Sequence, residues 1–91
     1  MRPGERYESR ADGVLGHWRD LEVGVWECAP GVFEDVEADE IFVVLEGAAT
    51  VEFVEPALPA IEIGPGDVVR LEEGMRTVWT VSETLRKVYL S

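Results

Sequence analysis

Glu40 is the residue of this chain best placed to do chemistry. It opens the run Glu-Ile-Phe-Val-Val-Leu-Glu-Gly, residues 40–47, in which an acid leads an apolar strand to a glycine. Alternate residues of a strand face opposite sides, so Glu40, Phe42 and Val44 share one face and Ile41, Val43 and Leu45 the other. A carboxylate on an interior face must pair with a cation or take up a proton, because burying a bare charge is costly. Arg70, Arg76, Lys87 and Tyr89 are the candidate partners. Glu40 is thus the candidate catalytic acid or base, and the alternative is a partly wet glutamate with no role. The same alternation puts Thr77 with Trp79, and Lys87 with Tyr89, on shared faces. Lys87 and Tyr89 can then line a pocket, although a lysine among apolar strand neighbours usually carries its ammonium outward.

Other reactive side chains offer less. His17 reads as a surface residue, since no paired carboxylate or nucleophile accompanies it. Cys28 reads as a small buried hydrophobe, because a nucleophilic thiol needs a nearby base to lower its pKa. Asp35, Glu37 and Asp39 have oxygens that suit a hard cation such as Mg²⁺ or Ca²⁺. The run 34–39 holds one large apolar residue, Val36, and the preferred reading is a solvated loop.

The elements that must position these residues read as strands and turns, with no helix. Strands are expected over residues 21–27, 40–45, 48–54, 60–63, 68–71, 76–81 and 85–90. They are separated by Ala29-Pro30-Gly31, Gly47, Glu55-Pro56-Ala57-Leu58-Pro59, Gly64-Pro65-Gly66-Asp67 and Glu73-Gly74. Gly47 is expected to make a tight reversal. Short strands with frequent turns predict an all-β sandwich or barrel. Residues 1–20 read as an N-terminal arm packed on the barrel, with Trp18 as a packing anchor, and residues 21–91 as the barrel domain. The strand at 40–45 is apolar on both faces, so the outer face is expected under the arm or in a homodimer.

Composition bounds the function. A chain of 91 residues, 46% hydrophobic, forms one domain. A net charge of −11 argues against nucleic acid and anionic membranes as partners. No apolar run approaches the ~20 residues that cross a bilayer. The first residues lack a signal-type segment, and the single cysteine forms no internal disulfide. The expectation is a cytoplasmic protein.

Two sets of residues resemble the sequence motifs of the cupin family. Pro30-Gly31, Glu40 and Gly47 follow the first motif, and Gly66-Asp67 with Gly74 follow the second. The histidines of both motifs are missing: residues 33–39 contain none, Glu72 stands for a proline, and Thr77 stands where a histidine is expected. The chain further resembles the small single-domain cupins related to ureidoglycine aminohydrolase. That likeness rests on Trp26-Glu27, Pro30-Gly31, Glu40, Gly47, Gly66-Asp67, Gly74, Trp79 and Glu83-Thr84-Leu85-Arg86-Lys87-Val88-Tyr89, over about residues 20–90. It implies a single-domain cupin, a double-stranded β-helix or jelly-roll barrel. It places Trp26 and Trp79 on barrel strands, as walls of a slot for a planar molecule or as core filler. A cupin metal site needs about three ligands, usually imidazoles with one carboxylate, and Glu40 alone survives here. No metal or other cofactor is therefore expected. The preferred function is a metal-free module for small-molecule binding or interaction, with Trp26, Glu40, Phe42, Thr77, Trp79, Lys87 and Tyr89 at the ligand. The alternative is an enzyme acting on a small nitrogenous, ureide-like metabolite with Glu40 as acid or base.

Overall fold

A computed structural model of the chain describes residues 10–91. The part of the expected arm that spans residues 1–9 lies outside the described residues. Seven strands follow in order: β1 (Arg10–Trp18), β2 (Leu21–Cys28), β3 (Gly31–Val36), β4 (Glu40–Glu55), β5 (Leu58–Ile63), β6 (Val68–Leu71) and β7 (Arg76–Leu90). The fold is all-β, as expected. No helix among the described residues is long and apolar enough to cross a membrane.

Two long strands organise the barrel. The first half of β7 lies between β3 and the second half of β4, with Phe33 opposite Trp79 and Val51 opposite Trp79. Its second half lies between β2 and the first half of β4, with Trp26 opposite Lys87 and Val44 opposite Lys87. β6 then extends the first half of β4, β5 extends the second, and β1 pairs with β2. Every pairing is antiparallel.

Gly47 corrects one expectation. It makes no hairpin turn, because β4 runs straight through it as a bulge with register shifts on both sides. The inward residues are Phe42 and Val44 before the bulge, then Ala49 and Val51 after it. Inserting one residue switches the parity of the alternation, so both halves of the strand keep an apolar inner face. Gly47 has φ +96°, and a Cβ there would collide with the Thr84 carbonyl oxygen and sit 2.7 Å from Leu85 Cα. Only glycine lets β4 and β7 approach this closely. Likewise, the strands expected at 76–81 and 85–90 are one continuous β7.

Two further expectations fail. Residues 34–39 are not a solvated loop: β3 continues to Val36, and Asp35 and Glu37 are buried. Trp18 is no packing anchor: it is 57% exposed, with the Arg19 guanidinium 5.0 Å over its ring. Residues 10–18 of the expected arm form β1, paired in register with β2.

The core joins Trp26, Phe33, Phe42 and Trp79 to aliphatic residues such as Val44, Val51, Leu71 and Leu85. Phe33 and Trp79 stack at 5.8 Å, and Trp26 and Phe42 lie tilted against Trp79 at 6.0 and 5.9 Å. The inner and outer faces of 40–45 are as the alternation predicts. Phe42 and Val44 are buried, while Ile41 and Leu45 are 41% and 44% exposed.

Candidate functional site

The centre of the barrel holds an ion pair. Lys87 lies on the inner face of β7 between Leu85 and Tyr89, and its Nζ donates to Glu40 Oε2 at 2.7 Å. Both side chains are buried, with 5% and 10% of their surfaces exposed. Of the four candidate partners for Glu40, Lys87 is thus the one that reaches it. Arg70 is exposed, Arg76 pairs loosely with Glu55 at 3.7 Å, and the Tyr89 hydroxyl donates to Glu22 Oε2 at 2.7 Å. The usual outward course of a strand lysine is not taken. Opposite Lys87 in register stand Trp26 and Val44, and the Trp26 ring lies 4.8 Å from the ammonium.

Aromatic faces complete the enclosure. Lys87 Nζ lies 4.0 Å from the ring centre of Phe42, 4.8 Å from Trp26 and 5.0 Å from Trp79. A cation over an aromatic face is attracted by the ring quadrupole, more strongly when water is excluded. The two tryptophans are therefore core residues that also enclose the ammonium.

A second polar group sits beside it. Thr77 Oγ1 donates to Glu37 Oε2 at 2.6 Å, and Trp79 Nε1 donates to the same oxygen at 3.0 Å and to Thr77 Oγ1 at 3.1 Å. Glu37 is also tied through its backbone, its N–H to Met75 O and its carbonyl to Gly74 N–H. Burial pushes the Glu37 carboxyl above its usual range, and the negative Asp35 adds to the push. The bonds from Thr77 and Trp79 and the charge of Lys87 oppose this without reversing it. Burial also raises the Asp35 carboxyl against pulls that include the Lys87 charge. The structure therefore brings together Trp26, Glu40, Phe42, Thr77, Trp79 and Lys87. Tyr89 shares their face but sends its hydroxyl to Glu22, over Gly24, where a Cβ would fall 2.6 Å from Tyr89 Cζ.

Sequence reasoning missed Asp35 and Glu37. The signal was the period of two in Phe33, Asp35 and Glu37, masked by the density of acids. It also missed Trp26 Nε1, a fully buried donor with no hydrogen-bond partner among the described residues. Leaving such a group unsatisfied costs about 1–3 kcal/mol. The remaining candidates are plainly placed. His17 is exposed on β1, and Cys28 is buried with its thiol donating to Ala29 O at 3.2 Å. Asp39 Oδ1 accepts from the Glu73 N–H at 2.9 Å, which fixes the turn before β7.

The donor set does not fit a cupin metal. An ammonium already stands at the carboxylate of the first motif, Thr77 is bonded to Glu37, and the only histidine lies outside on β1. Among the described residues, no three His, Cys, Asp or Glu side chains gather as a ligand set. This interior has the chemistry of an ion pair and hydrogen-bonded acids.

Comparison with known proteins agrees with the architecture. A family model described as an EutQ-like cupin domain matches residues 17–89. Among solved structures, the chain is similar to a protein of unknown function (DUF1255) from Acidithiobacillus ferrooxidans. The two are 23% identical over 91% of this chain and 78% of that one, with a TM-score of 0.78. The Clostridium difficile EutQ protein is 17% identical over 99% of this chain and 72% of its own, with a TM-score of 0.77. At these identities both speak for the fold alone. A DUF861 family protein from Thermotoga maritima is 30% identical over 71% of this chain and 73% of its own, with a TM-score of 0.65. No curated protein matches the chain significantly.

Proposed function

The chain belongs to the EutQ-like cupin domain family, and from that premise we propose that it is a metal-free module binding a small molecule at the barrel centre. Glu40 and Lys87 are the polar contacts in this reading, and Trp26, Phe42 and Trp79 are the walls. The observation that carries it is the buried Lys87–Glu40 pair at 2.7 Å, in the position where the family resemblance implies a metal. A ligand bearing one charge can take the place of one member of the pair, and Trp26 Nε1, which has no hydrogen-bond partner among the described residues, adds a directional donor. The enzymatic alternative, Glu40 acting as acid or base on a ureide-like compound, has less support because its oxygen is engaged by Lys87.

Melting shifts across purine-breakdown intermediates, keto acids and sugars test the reading. At least one compound is expected to raise the melting temperature of the wild type but not of Glu40→Gln or Trp79→Ala. Equal shifts in all three proteins remove the site from the barrel. Elemental analysis of tag-free protein is expected to find no stoichiometric transition metal, and finding one overturns the proposal. A homodimer through the exposed face of Ile41 and Leu45 belongs to the same proposal, and a monomer in sedimentation at micromolar concentration removes it.

A further inference from the structure

Lys87 is the only lysine of the chain, and the rings and carboxylate that meet its ammonium are groups that recognise cations. Three ring faces stand 4.0–5.0 Å from Nζ, and one carboxylate oxygen stands at 2.7 Å. These groups come from three different strands, Trp26 on β2, Glu40 and Phe42 on β4, and Trp79 on β7. The Trp79 wall is itself held by its hydrogen bond to Glu37. The cage is thus assembled from separate strands, with its Trp79 wall braced from behind.

We propose that the barrel centre is a binding site for a primary ammonium group, filled from within by Lys87, and that the ligand class of this barrel is a small aliphatic amine. This rests on the small-molecule reading above and names the ligand chemistry for the same site. An alkylammonium replaces Lys87 like for like, with methylenes along the stem path, charge over the rings and a hydrogen bond to Glu40. A carboxylate ligand would take the place of Glu40 and lay negative charge near the negative ring faces. The geometry therefore separates the two classes.

Chemical rescue tests it. Lys87→Ala deletes three methylenes and the ammonium, which are the atoms of n-propylammonium. The variant is expected to gain on the order of 5 °C in melting temperature from propylammonium chloride at about ten times its Kd, well above any gain in the wild type. Sodium propionate and n-propanol, at matched concentration and ionic strength, are expected to give no such gain. If either rescues as well as propylammonium, the amine assignment falls and the small-molecule site stands. If none of the three rescues, both fall. Should Lys87→Ala not fold unaided, the yield of folded protein on refolding with each additive gives the same reading. A second measurement uses the wild type alone. Isotope-labelled lysine gives one side-chain ammonium signal, expected to be shifted upfield by the rings and slow to exchange with water. A fast-exchanging ammonium at the shift of a free lysine overturns the cage.

Discussion

Two glutamates, Glu37 and Glu40, are carried into this barrel from adjacent ends of β3 and β4, and the barrel treats them in opposite ways. Glu40 meets a full positive charge at 2.7 Å within a ring of aromatic faces. Glu37 meets a hydroxyl and an indole N–H, and faces a second acid, Asp35. A buried carboxylate has two ways to avoid being a bare charge: it can be neutralised by a partner, or it can hold a proton. Glu40 takes the first route. Glu37 leans to the second, since its neutral donors are outweighed by burial and by Asp35. One small interior therefore contains an ion pair and an acid whose pKa burial raises.

The largest test breaks the first half of this contrast. Lys87→Met keeps the stem but leaves Glu40 buried without its ammonium, and is expected to cost about 3–5 kcal/mol in urea unfolding. Adding Glu40→Met in the same chain is expected to recover most of that loss, since two apolar side chains carry no unpaired charge. A Lys87→Met variant as stable as the wild type would erase the contrast. The next test compares two tryptophans of similar burial. Trp79→Phe and Trp26→Phe lose the same kind of volume, but only the first leaves Glu37 short of a donor. Trp79→Phe is expected to be the more destabilising by about 1–3 kcal/mol in the same measurement. Equal losses would show that the bond to Glu37 adds nothing.

The smallest effect lies in pH dependence. The Glu37 carboxyl binds its proton more tightly folded than unfolded, so its folded pKa lies above the ordinary 4.5. The stability linked to that proton is complete below the unfolded value and is lost as pH rises through the folded one. Glu37→Gln keeps an oxygen for Thr77 and Trp79 but does not titrate. Its stability is expected to fall less than that of the wild type as pH rises from 4.5, read as denaturation midpoints across a pH series. Asp35→Asn is expected to flatten the same decline from 3.8 upward. A profile unchanged by both substitutions would remove the proton-retaining half of the comparison.

Much of this barrel was legible in the sequence. The turn glycines and the alternating apolar residues locate most strands, and the inner face of 40–45 is legible because its period is two. What escaped was length and sidedness. Gly47 looks like a turn because glycine permits positive φ in turns and bulges alike, and only the pairing partner decides between them. β3 was hidden because Asp35 and Glu37 have the composition of a wet loop while keeping the spacing of a strand. The ion pair was half legible. Glu40 demanded a cation and Lys87 was among the candidates, but the choice among them depends on register between β4 and β7, which no local pattern states. Trp26 Nε1 had no signal at all, since a missing partner is visible only once every neighbour is in place.

The central position of β7 also has a kinetic consequence. Leu90 pairs with both Val23 and Ile41, and Ser91 exchanges backbone hydrogen bonds with Glu22. β7 thus lies between two strands, β2 and β4, that precede it in the sequence. Pairings of such wide sequence separation form slowly, because long loops must close before any contact compensates for the lost chain entropy. During synthesis, β2 and the first half of β4 emerge with no strand between them, and Glu40 emerges without its counter-charge. The barrel closes, and its only lysine finds its cage, after translation has passed residue 90.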